Sequence, residues 1–358
     1  MSLSAARTSA RSASHVRWVR PSTPQDGPAI VALMRQAGLH SDTDPTHLRW
    51  KYWQERSDWP GPRSFVLTDG HDLLAHGAIV PGTLRRGECR ERVLHMIDWA
   101  ARGDAVGAGV VLMKHVGRQA EFLLGIGGTH QTRKIMPLIG YRLCGNVTAF
   151  VRPLSPTRLL GLPGGSSWKL APRFARSLLW TVSAPAAEVG AWQVRPIGVA
   201  DVRQISDVLP TTIPGLPVFE RSPDLFRHAL ACPIVPFELY ALERAGRIGG
   251  YFALSRTPGQ ARLADLWMDS SEPADWRALV HSAVRRARCQ GESAEIAAWS
   301  SDERLSQALR DCGFHARFTV PIFLRGSPGV TVPEHTPRVQ MLDNDAFYLY
   351  DRCYPLWA

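Results

Sequence analysis

The stretch Asp104-Ala105-Val106-Gly107-Ala108-Gly109 joins an apolar run ending VLHMIDWAAR to the apolar-periodic VVLMKHVG. A helix that begins here leaves its first backbone amides unpaired and carries a partial positive charge at that end, so it can hold a pyrophosphate. Glycine at 107 and 109 removes the Cβ atoms that would keep a ligand off the backbone. Asp104 should repel phosphates unless it turns away as an N-cap, and Arg102 can supply positive charge. The competing reading is a strand-to-helix turn without a ligand, because a short glycine motif is common.

Other stretches carry less. His40, Asp42, Asp44 and His47 in HSDTDPTH are close enough to suggest a metal, but proline and polar flanks favour a solvated loop. Gly125 to His130, GIGGTH, lacks the third glycine and the acidic residue of a dinucleotide fingerprint, and no Walker Gly-Lys-Ser/Thr occurs. In RWKYWQER, Trp50, Tyr52 and Trp53 could line an acceptor pocket, yet an aromatic helix face is more often core. The six cysteines are scattered, with no Cys-x-x-Cys and no histidine at zinc spacing, which reads as free thiols in a reducing compartment.

These residues need elements to position them. With 358 residues the chain has room for two ordinary domains, and 45% hydrophobic against 21% charged residues is a globular balance. The net charge of +10 is almost wholly arginine, since Lys51, Lys114, Lys134 and Lys169 are the only lysines. Such an excess favours anionic partners. Its dispersal, without interleaved aromatics, argues against a specific nucleic-acid groove. No apolar stretch approaches the ~20 residues of a membrane span. The Ser/Arg-rich, acid-free start has a transit-peptide composition and is read as a frayed tail over residues 1–15.

Val19-Arg20-Pro21 with Asp26 returns as Val194-Arg195-Pro196 with Asp201, a spacing suited to duplicated whole domains. Hairpin patterns follow each, SFVLTDGHDLLAHGAIV and FELYALERAGRIGGYFAL. Each half then reads strand, helix, strand, helix, and glycine with an aromatic, Gly140-Tyr141 and Gly313-Phe314. In the first half Gly109, Leu112, Met113, Val116 and Ala120 share a helical face; in the second Trp276, Leu279, Val280, Ala283, Val284 and Ala287 do, with Gly291 placed for a left-handed C-cap. The expected architecture is a mixed α/β fold used twice, over 16–152 and 192–326, with a basic linker at 153–191 and a C-terminal arm at 327–358. In the linker Pro153, Pro156, Pro163 and Pro172 interrupt any long helical face, which makes a membrane-surface amphipathic segment the minority reading.

A strand leading into a Gly-x-Gly helix start, then a splayed strand, a helix and a Gly-aromatic pair, resembles the GNAT superfamily of acyl-CoA-dependent N-acyltransferases, in tandem. Only the first half carries the cofactor motif, Gln/Arg-x-x-Gly-x-Gly/Ala, and it departs at Asp104. The resemblance implies that acetyl-CoA or another acyl-CoA lies where VLHMIDWAA splays from EFLLGIG. Its amides would pair with Trp99, Ala100 and Ala101. Its diphosphate would sit on Arg102, Val106, Gly107, Ala108 and Gly109, with Thr129, His130 and Arg133 approaching from the next helix. It also implies direct attack by a primary amine of a small molecule or peptide, with a backbone N–H stabilising the oxyanion. An alkyl ammonium, with pKa ~10.4, needs a base. Asp98 is the first candidate, since strand alternation can aim it at the cleft; His76 and His95, on adjacent strands, are next. Each has a structural alternative, as a paired carboxylate or a satisfied core histidine. No metal is expected.

Many GNAT members use a tyrosine four residues before the Gly-aromatic pair to protonate the thiolate; here that position is Met136, and Leu309 in the second half. Asp269, Glu272 and Asp275 would meet an anion with negative charge, so the second half is expected to be a degenerate copy that closes the cleft or stabilises the first. The resulting reading is a bacterial, cytoplasmic N-acyltransferase. Its rivals are a non-catalytic GNAT-fold sensor or scaffold and an aminoacyl-tRNA-dependent transferase on the same duplicated fold.

Overall fold

A computed structural model describes residues 17–39, 44–161, 167–185, 189–213, 215–289, 291 and 293–349. The first half contains β1 (Trp18–Pro21), α1 (Gly27–Gln36), α2 (Pro45–Leu48) running into a π-helical turn (Arg49–Trp53), β2 (Ser64–Thr68), β3 (Leu73–Arg86), β4 (Cys89–Ala101), α3 (Ala108–Val116), β5 (Phe122–Ile126), α4 (His130–Leu138) and β6 (Arg142–Pro153). After α5 (Ser167–Val182) the second half supplies β7 (Gln193–Ile197), β8 (Val218–Phe219), α6 (Pro223–Leu230), β9 (Phe237–Arg244), β10 (Arg247–Thr257), β11 (Gln260–Met268), α7 (Pro273–Cys289), β12 (Glu295–Ser300), α8 (Glu303–Asp311) and β13 (His315–Gly326).

All the strands join one mixed sheet, in the order β1-β2-β3-β4-β5-β13-β6-β12-β11-β10-β9-β7, with β8 paired to β3. The halves exchange their last strands: β13 pairs with β5 of the first half, β6 with β12 of the second, and β6 and β13 with each other. The repeated Val-Arg-Pro motifs mark β1 and β7, the two outer ends of this order. At one end Arg20 donates twice to Asp26 at 2.8 Å. At the other, Arg195 reaches Gln204 at 2.7 Å, whose amide donates to Asp201 at 2.8 Å. The motif therefore ties a strand to the helical turn that follows it.

One face of the sheet carries two separate cores. Under α3, around Leu112, Met113 and Val116, lies the first; under α7 and α8, around Trp276, Leu279 and Leu309, lies the second. The other face is one continuous core that takes residues from both halves, among them Ile30, Tyr52, Leu124, Phe226, Tyr251 and Phe347. Gly291 has φ +76, as its place after α7 requires.

One local expectation changes. Linker residues 167–182 form a helix in spite of Pro172. That proline is its sixth residue, so only one early backbone bond is forfeited. Met341–Asp343 and Asp345–Phe347, before and within DAFYLYDRCYPLW, fold as 3-10 turns. They dock against the shared core through Leu342, Phe347 and Tyr348, and Tyr350 to Ala358 lie outside the described residues.

Candidate functional site

β4 and β5 run parallel and pair only over Val93↔Phe122, Leu94↔Leu123 and His95↔Leu124. Beyond that point β5 continues with β13 to Ile126↔Ile322, while β4 goes on with β3 alone to Ala101. The edge of β4 from Met96 to Ala101 is thus unpaired and the sheet opens. Arg102 N–H bonds back to Leu74 O at 2.9 Å, so by strand alternation the N–H of Ala101 faces the opening.

Two helices start at the open end of these strands. α3 begins on Gly107, an N-cap with φ +78 and no side-chain cap, which places Ala108 and Gly109 in its first turn. A Cβ at Gly107 would meet nothing within 4 Å. The amides of Gly107, Gly109 and Val110 bond to no backbone carbonyl. This helix end has the free donors and the open approach that an anion needs. Val106 is 89% exposed beside it. Trp99 packs on the same turn and donates its indole N–H to Gly109 O at 3.1 Å. α4 starts after two left-handed glycines, Gly127 and Gly128, with the Thr129 hydroxyl capping Thr132 N–H at 3.2 Å. His130 and Arg133 are exposed there, and Arg133 donates to Gly128 O at 3.0 Å.

The awkward pair resolves without an N-cap role for Asp104. Arg102 grips both its carboxylate oxygens, at 3.0 and 2.6 Å, and reaches Asp72 at 2.6 Å. The arginine expected to serve a phosphate is therefore already engaged, and it offsets the repulsion by holding Asp104 on the exposed side of the turn.

Asp98 does not follow simple alternation. His76 pairs with Ala100 and Ala78 with Ile97, so Asp98 and Trp99 together oppose Gly77 in a bulge, and Asp98 has φ +49. The bulge turns its carboxylate toward the shared core, where Lys51 Nζ sits at 2.5 Å and the Tyr52 hydroxyl donates at 2.7 Å. Burial raises the Asp98 pKa, but the Lys51 ammonium and its hydrogen bond outweigh that and hold it below the usual carboxylate value. Tyr348 lies across the same ammonium at 5.2 Å. Asp345 feels it too: burial pushes this carboxyl up to about 6 against the pull of Lys51, with the Asp98 charge adding to the rise.

His76 reaches the Ser64 hydroxyl at 2.9 Å and Asp98 O at 3.1 Å, and burial lowers its pKa to about 4. His95 lies against the backbone of Asp343, with Nδ1 unbonded, and burial likewise lowers it to about 4. Both imidazoles are neutral near pH 7 and weak as bases. All three acid–base candidates lie on the shared-core side of the sheet.

The remaining expectations fall around this centre. Trp50 and Tyr52 are buried. Asp44 caps α2 through the amides of Thr46 and His47, and His47 stacks on Trp50 at 5.5 Å; His40 and Asp42 lie outside the described residues. Met136 packs so closely on Gly125 that a Cβ there would collide with it, so an apolar contact stands at the position for which the resemblance implied a proton donor. Tyr141 is buried and packs beside it. In the second half Asp275 accepts from Trp192 Nε1 at 2.9 Å and from Ser270 at 2.7 Å. Sequence reading missed Lys51, inside a segment weighed only for its rings, and Asp345, inside the C-terminal arm. An isolated lysine between aromatics, in a chain that otherwise uses arginine, was the available signal for the first.

This fold matches solved N-acyltransferases over most of its length. A GCN5-related N-acetyltransferase from Anabaena variabilis superposes with TM-score 0.57 at 13% identity, covering 87% of this chain and 72% of the other. A probable N-acyltransferase from Enterococcus faecalis gives 0.58 at 9% identity, with 87% and 72% covered. Saccharomyces cerevisiae N-myristoyltransferase, solved with bound myristoyl-CoA, gives 0.60 at 13% identity, with 86% and 82% covered. No protein-family model matches the chain, and no curated protein does. The fold is the duplicated GNAT fold, as the resemblance in the sequence implied.

Proposed function

We propose that this protein transfers an acyl group from coenzyme A to a primary amine. The observation that carries the reading is the opening between β4 and β5, with the unpaired edge Met96 to Ala101 on one side and the free amides of Gly107 and Gly109 at its mouth. The diphosphate would rest on the start of α3, helped by Val106, Ala108 and the nearby Thr129, His130 and Arg133. The pantetheine amides would extend the edge of Trp99, Ala100 and Ala101. The N–H of Ala101 is a donor available to a thioester carbonyl. Asp98, Lys51 and Asp345 then form a charged cluster beneath the bulge that can take up the amine's proton, while His76 supports the Asp98 backbone. Acceptors of the small-molecule or peptide class fit this chemistry. A reducing, cytoplasmic setting belongs to this reading, on the scattered spacing of the six cysteines in the sequence.

A thermal-shift series from acetyl-CoA to myristoyl-CoA tests the donor. Ligand at 100 times its Kd should stabilise the fold by about 2.7 kcal/mol, and Gly107→Glu should abolish the rise in melting temperature. No shift with any acyl-CoA at millimolar concentration would remove the assignment. One observation favours binding without turnover: Met136 fills the position of the missing acid. Coenzyme binding without thiol release in an acceptor screen would select that reading.

A further inference from the structure

The linker helix α5 turns its apolar side outward. From 171 to 182, every exposed residue is apolar: Ala171, Pro172, Ala175, Leu178, Leu179 and Val182. At 100° per residue these six fall within an arc of about 120°. Leu178 is 47% exposed, Leu179 65% and Val182 77%. Opposite them Ser177 is buried, and Trp180 stacks on His315 at 3.9 Å, which fastens the helix to β13. The exposure is therefore not a loose helix awaiting its core.

One side of that stripe is cationic. Arg176 and Arg317 lie over Trp180, at 5.2 and 5.6 Å from the ring centre, and among the described residues neither makes an ion pair. Arg176 Nε is buried without a partner, and Arg173 is close enough to add its repulsion. The carboxylate that attracts Arg176 is the buried Glu295, already bonded to Gln260 at 2.6 Å. Residues 122–187 contain eight lysines and arginines and no aspartate or glutamate. Guanidiniums beside a fixed apolar stripe suit an anionic partner with an apolar layer beneath its charge.

We infer that α5 docks this protein on an anionic phospholipid surface, with Leu178, Leu179 and Val182 entering the acyl boundary and Arg176 and Arg317 meeting headgroup phosphates. An interfacial helix is recognised by this division of faces, and each basic residue near such a surface adds about 1 kcal/mol. A second copy of the chain is the poorer occupant. A two-fold interface through this stripe would set the two arginine clusters against each other, and one helix face is small beside the ~20–30 residues a stable interface engages per side. The inference stands apart from the acyl-transfer reading, since it uses none of that site's residues.

Co-sedimentation of the full chain with phosphatidylcholine vesicles, with and without phosphatidylglycerol, tests it. The protein should bind only the anionic vesicles, and salt should weaken binding. Arg176→Gln with Arg317→Gln should cost about fivefold per arginine, and Leu178→Asp with Leu179→Asp should abolish sedimentation. Unchanged melting temperatures would show both variants folded, and the acyl-CoA shift should survive in both. Failure of the wild-type chain to bind anionic vesicles would overturn the inference. So would binding that the leucine variant retains, or a wild-type dimer that this variant dissolves.

Discussion

Asp98 illustrates how a residue's type and its role separate. Its strand and its place before the glycine motif are legible in the sequence, whereas its direction depends on two residues opposing Gly77 in a bulge. Once turned inward, it neutralises Lys51 at 2.5 Å in a largely buried setting. Asp98→Asn would leave that ammonium without its carboxylate. Breaking one side of a buried pair costs about 3–5 kcal/mol, so the melting temperature should drop. If the cluster takes the amine's proton, turnover should fall much further than coenzyme affinity. Retained turnover with a lowered melting temperature would confine Asp98 to a structural role. Asp345, raised to about 6, is then the carboxyl better matched to proton uptake near neutral pH.

At the scale of elements, the start of α3 and the splayed edge of β4 form one device. Trp99 joins them: its indole bonds Gly109 O, and a Cβ at position 109 would lie 2.9 Å from Nε1. Gly109→Ala gains about 1 kcal/mol of helix propensity and loses the indole bond, of comparable worth. Stability should change little. The displaced ring would crowd the opening, so the acyl-CoA thermal shift should shrink; a full shift would mean that Trp99 is not part of the ligand's wall. The sequence marked both glycines as places of close approach. It gave no sign that the tryptophan just before the motif is what approaches Gly109.

The whole molecule adds a dependence on pH. His76 and His95 are held near 4 by burial, and His228, partly buried, is pushed to about 2 by burial and by Arg56 and Arg63. Their ordinary value is 6.5, so below it the unfolded chain binds protons that the native protein refuses, and stability falls with pH. Asp345 acts in the opposite sense, since between its ordinary 3.8 and about 6 only the native state carries its proton. The three histidines outnumber it. Urea midpoints should therefore decline from neutral pH toward pH 4, at about 1.4 kcal/mol per pH unit for each net proton. A flat profile would mean that the imidazoles reach solvent and titrate normally.

Periodicity and repetition were sufficient to read most elements: the duplicated order, both hairpins, the helices expected from about residues 108, 129 and 302, and the glycine-led helix start are local patterns. They are legible because the length and composition of a segment carry their signal locally. Tertiary structure alone decided the rest. The exchange of β6 and β13 depends on strands far apart in sequence finding the same sheet, a choice that alternation leaves open. The pairing of Lys51 with Asp98 depends on a bulge and on a helical turn 47 residues earlier in the chain. The outward face of α5 was written in the residue types, but its prolines argued against a helix until packing of Trp180 on His315 held one in place.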